Sequence, residues 1–215
     1  MSTATGDVKK TIRNVVDRGK PQTWRWYHGV MFYVFAQVLT FGLAAITSVA
    51  TGQKVKSVRD LMGDVSYFRA LKQSVVTPPS WVFGPAWTIN NVSVIWGTLR
   101  VLNKPEGTRG RDTFLALQAA SWLNYVVFNA AYFSLRSPIN AFVLTLSMFV
   151  LTILSGMVAI FQLKDRRVAL SLATLMVWLM IALTAASFQA AWNRDDFYGV
   201  GPFVEPLPML EKEAK

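Results

Sequence analysis

Five runs of the chain, residues 29–50, 81–99, 113–135, 137–163 and 168–193, contain no Asp, Glu, Lys or Arg. Each is close to or longer than the roughly 20 residues that an α-helix needs to cross a bilayer. The chain is 53% hydrophobic and 16% charged, so its charge is confined to the stretches between these runs. A strand barrel would need shorter alternating segments, which the sequence lacks. The runs predict an all-α integral membrane protein, a five-transmembrane-helix antiparallel bundle. The corresponding divisions are a polar basic amino-terminal tail over 1–27, a membrane domain over 28–194, and an extended Pro-containing carboxy-terminal tail over 195–215.

A net charge of +10 would suggest nucleic acid in a soluble protein. Beside membrane spans, the same lysines and arginines bind anionic headgroups and set orientation. The expected partners are therefore the lipid bilayer and a hydrophobic small molecule, with no nucleic acid. Of the 22 basic residues, 13 fall on the amino-terminal side of the predicted bundle and 9 on the other. That difference favours a cytoplasmic amino terminus, in a bacterial inner membrane or alternatively an organellar one. A cleavable signal peptide is not expected, because a long polar tail precedes the first apolar run. With no cysteine, disulfides and thiolate ligands are excluded. His28, the single histidine, follows "TWRWY" at the predicted interface, which suits a hydrated side chain better than metal ligation.

In the amino tail Val8, Ile12, Val15 and Val16 recur at helical spacing beside basic residues, which fits either a surface helix or a solvated tail. Val58, Leu61, Met62, Val65 and Phe68 repeat the pattern in the first loop and predict a short amphipathic helix across one end of the bundle. The later links, Arg136 and "KDRR" at 164–167, are too short for anything but antiparallel neighbours.

None of the runs holds an ionisable group of the kind that marks proton relays, and acid–base catalysis within the core is disfavoured with it. Aromatic and amide side chains remain. Phe83, Trp87, Asn90, Asn91 and Val94 lie along one face of the second run, with Trp81 at its mouth. On the third run Trp122, Tyr125, Asn129 and Tyr132 form a stripe, with Asn124 beside it; on the fifth, Trp178, Ala182, Ala185, Gln189 and Trp192 align. Such residues commonly form the interfacial belt or join helices. Three stripes converging point instead to an aromatic-lined pocket with a few amides. The expected ligand-binding residues are Trp81, Phe83, Trp87, Asn90, Asn91, Asn129, Tyr132, Trp178 and Gln189, with none catalytic and none metal-ligating.

The segment "TPPSWVFGPAWT", residues 77–88, opens the second run. Pro78 and Pro79 hold the chain extended, and Pro85 either kinks the helix or marks where its regular part begins. That entry aims Trp87 inward and leaves Trp81 nearer the interface. With Leu71 before it, this stretch resembles the loop and second helix of the TspO/translocator protein family, the tryptophan-rich sensory proteins. "YFSLRSP", and Trp178 with Ala182, extend the resemblance more loosely over about residues 30–194. Tyr67, Ser74, Val76, Leu144 and Ala186 depart from the family pattern, and Phe188 stands where its sterol motif needs tyrosine.

The resemblance implies five helices, frequent dimerisation, and a cavity under the first loop for tetrapyrroles such as protoporphyrin. Trp87 and Trp178 match tryptophans that line that cavity. The function expected is sensory or transport-related binding of a tetrapyrrole, porphyrin or similar planar apolar ligand, with no covalent cofactor and a bound tetrapyrrole or pigment. The alternative is a structural or accessory subunit of a larger membrane complex, pigment-binding or photosynthetic, held through the tails. Light-dependent porphyrin degradation ranks below both, since only tryptophan radicals or the ligand's own photochemistry could carry it.

Overall fold

A computed structural model describes residues 24–53 and 65–212. Its long helices are α1 (Trp26–Ala50), α3 (Ser80–Leu102), α4 (Arg111–Asn129), α5 (Pro138–Met157) and α7 (Ala173–Trp192); α2 (Val65–Ala70) and α6 (Arg166–Ser171) are short. Among the described residues only two isolated bridges have strand character. Three segments are long and apolar enough to cross a membrane: Trp26–Ala50, Pro138–Gln162 and Arg166–Trp192. The sequence reading expected five. α3 is diluted by Pro85, Asn90, Asn91 and Ser93, and α4 by Arg111, Asp112, Gln118, Ser121 and Asn124. The amino-tail pattern and Val58, Leu61 and Met62 lie outside the described residues, whereas Val65 and Phe68 fall in α2 as expected.

The two tight reversals share one construction. α4 and α5 each end in a π-helical turn, Ala130–Ser134 and Val158–Gln162. A cation in the left-handed region follows, Arg136 or Lys164, each with φ of 50°. A side-chain cap then starts the next helix. Ser137 Oγ accepts from Asn140 N at 3.1 Å with Pro138 in the first turn, and Asp165 Oδ1 accepts from Arg167 N at 3.2 Å. A capping oxygen satisfies one otherwise orphaned N–H, and proline at the first position loses nothing there. Chain reversal thus comes from caps and left-handed residues without glycine.

α3 runs unbroken through Pro85 from Ser80, so the regular helix does not begin at the proline. α5 packs most extensively on α7 and next on α4, while α1 packs on α4 and α3 on α6. At the α3–α6 contact a Cβ on Gly97 would fall 1.9 Å from Ser171 Oγ, so only glycine permits this approach. The carboxy-terminal chain folds back over one end of the molecule. Val75 N donates to Leu210 O at 2.9 Å, Lys212 N to Gln73 O at 2.8 Å, and the Lys72 ammonium faces the Glu205 carboxylate at 3.5 Å. This strap therefore fastens the segment that leads into α3.

At the opposite end Asp165 gathers Arg100 Nε at 2.9 Å and Lys104 Nζ at 2.8 Å from the end of α3. Burial raises the Asp165 pKa, but the Lys104 and Arg100 hydrogen bonds and the Val168 N–H outweigh it and hold the carboxyl at about 2, below its ordinary 3.8. A folded-state value below the unfolded one contributes stability that is complete above the ordinary carboxylate range and is lost as pH falls through the folded value. Asp165→Asn is expected to cost about 1–2 kcal/mol near neutrality, since both cations are partly exposed and can rehydrate. Melting temperature followed from pH 5 to about 2 should converge for wild type and variant; a gap that persists at the acid end would show another cause.

Candidate functional site

A cavity of about 320 Å³ lies between α1, α3, α4, α5 and α7, with Phe68 of α2 and Pro78 at its edge. Its wall follows from helical spacing. Phe83 and Trp87 are one turn apart on α3, and Ala182, Ala185, Ala186 and Gln189 form a mostly small-residue face of α7 below Trp178. Small residues on α7 leave the space that large rings on α3 and α4 then border. The Trp87 and Trp178 rings meet at 6.4 Å with an interplanar angle of 77°. Phe83 lies edge-on to Trp178 at 5.3 Å, and Phe68 edge-on to Phe83 at the same distance. Edge-to-face packing of this kind fixes the rings against one another and leaves apolar faces for a guest.

Polar groups are few and oriented. Tyr125 Oη accepts from Gln37 Nε2 at 2.9 Å and from Asn91 Nδ2 at 3.2 Å. Tyr132 Oη donates to Gln189 Oε1 at 2.8 Å. Trp178 Nε1 and Gln189 Nε2 are buried donors without a partner among the described residues. The cavity lining among those residues contains no charged side chain. An apolar wall with a few fixed amides and hydroxyls suits the burial and orientation of an apolar guest. No three His, Cys, Asp or Glu side chains gather for a metal among the described residues.

Of the residues expected from sequence, Phe83, Trp87, Asn129, Tyr132, Trp178 and Gln189 line this cavity. Trp81 does not: it sits on another face of α3 and is 74% exposed. Asn90 and Asn91 are buried but lie behind the wall. They follow Trp87 along α3, where the helices close on Val94, Met148 and Leu175; Asn91 donates to Tyr125 and with Trp87 borders a second pocket of about 20 Å³. Sequence reasoning placed no site residue on α1. Tyr33, Gln37 and Thr40 line the cavity at helical spacing, and Gln37 is the one amide in the first charge-free run, which was the available signal.

Residues 34–192 match a family model described as TspO/MBR family. No curated protein matches the chain.

Proposed function

The chain belongs to the TspO/MBR family, and from that premise we propose that it is a five-helix membrane protein binding a tetrapyrrole or similar planar apolar ligand in the cavity between α3 and α7, in a sensory or transport-related role. All five long helices span the bilayer in this reading. α3 and α4 are the less apolar pair because they turn their amides inward, Asn91 onto Tyr125 and Asn124 onto Ser147. The observation that carries the proposal is the uncharged cavity bordered by Trp87 and Trp178, whose rings offer stacking and apolar burial to a flat guest.

Titration with protoporphyrin is expected to quench intrinsic tryptophan fluorescence saturably. Trp87→Phe with Trp178→Phe should weaken binding about tenfold, each ring contributing a share typical of aromatic pairs. Unchanged fluorescence on titration, or an affinity indifferent to the double substitution, would overturn the assignment.

A further inference from the structure

One amide in the cavity wall has its two ends in different situations. Gln189 is 3% exposed; its Oε1 accepts from Tyr132, while its Nε2 finds no partner among the described residues. Tyr132 is equally buried, and its hydroxyl proton goes to that carbonyl. The bond fixes the amide, with oxygen toward Tyr132 and NH2 on the other side. Ala182, Ala185 and Ala186 stand on the same face of α7 within two turns and line the cavity together with Gln189. A buried donor left unmade is costly, and a ligand acceptor that reached it would recover that cost. The charge-free lining favours a neutral acceptor, because an ionised carboxylate would lose its hydration with no cation to offset the loss.

We propose that Gln189 is a specificity-determining residue. Its Nε2, oriented by Tyr132, donates to a neutral carbonyl oxygen on the rim of a planar apolar ligand. The cavity thereby selects ketone- or amide-bearing ligands over hydrocarbon ones, and places any ionised carboxylate of the ligand away from this end. The inference rests on the cavity reading above.

The test uses the full chain in detergent micelles, titrated by tryptophan fluorescence with octaethylporphyrin and with its oxochlorin, which adds one ring carbonyl to the same body. Wild type is expected to bind the oxochlorin about tenfold more tightly. Gln189→Leu should abolish that preference, bringing its affinities for the two porphyrins within about twofold of each other. Tyr132→Phe, which keeps the ring but frees the amide to turn, should reduce the preference to about threefold; it decides the matter alone if Gln189→Leu does not fold. Equal affinities in wild type, or a preference undiminished in the variants, overturn the role of Gln189 and leave the cavity reading standing. No quenching of wild type by either porphyrin overturns both.

Discussion

Asp195→Ala is expected to destabilise the protein by about 3–5 kcal/mol, the largest loss for a single polar side chain outside the cavity. Asp195 is 1% exposed and begins the carboxy-terminal strap. Its Oδ2 accepts from Ser137 Oγ at 2.6 Å and from Ile139 N at 3.0 Å, and its Oδ1 from Tyr198 N at 3.0 Å. The carboxylate therefore satisfies the Ile139 N–H in the first turn of α5, where the helix dipole also favours a negative charge. Alanine would leave the part-buried Ile139 and Tyr198 N–H groups without this acceptor. Asp195→Asn keeps one acceptor oxygen but points its NH2 at a donor, so an intermediate loss of about 2 kcal/mol is expected. Thermal melts of the purified variants should rank wild type above asparagine above alanine. Alanine melting within about 2 °C of wild type would mean that the strap is not anchored by this carboxylate.

The charge-free runs made the long helices legible, because charge is expelled from buried or lipid-facing backbone whatever the tertiary arrangement. Helical spacing likewise put Phe83 with Trp87, and Trp178 with Gln189, on single faces. Spacing does not say which neighbour a face meets. Gln37 on α1 and Tyr125 on α4 are hydrogen-bonded although 88 residues apart, and the spacing of Tyr33, Gln37 and Phe41 in the first run does not say which helix their face meets. Trp81 and Trp87 differ by six residues, which turns them well apart around α3, so their shared chemistry did not mean a shared site. Asp195 read as the first residue of a tail because only Arg194 separates it from the last apolar run. Its burial depends on Ser137, 58 positions earlier, and no local pattern encodes that meeting. The π-helical ends of α4 and α5 were also invisible, since the extra residue in each turn is absorbed by backbone hydrogen bonds such as Leu163 N to Val158 O at 2.9 Å.

Gly97→Val is expected to cost about 3 kcal/mol or more, and Gly97→Ala about 1–3 kcal/mol, through one contact. The Cβ of alanine would lie 1.9 Å from Ser171 Oγ and 2.9 Å from Ser171 Cβ. Rotating the hydroxyl could relieve the first clash, at the cost of its 2.7 Å hydrogen bond to Val168 O. The second clash involves an atom fixed to the backbone, so α3 and α6 must separate. Separation would strain the 2.7 Å bond from Ser93 Oγ to Ser171 O on the same interface. Because α3 also carries Phe83 and Trp87, a shift of this helix moves the cavity wall, and the alanine variant should lose porphyrin affinity as well as stability. Ser171→Gly removes both clashing atoms and should restore much of what Gly97→Ala loses, giving a coupling of about 1 kcal/mol or more in a double-mutant cycle. Additive losses in that cycle would place the cost of the alanine somewhere other than the Gly97–Ser171 contact, and the cavity wall would then not depend on how closely α3 meets α6.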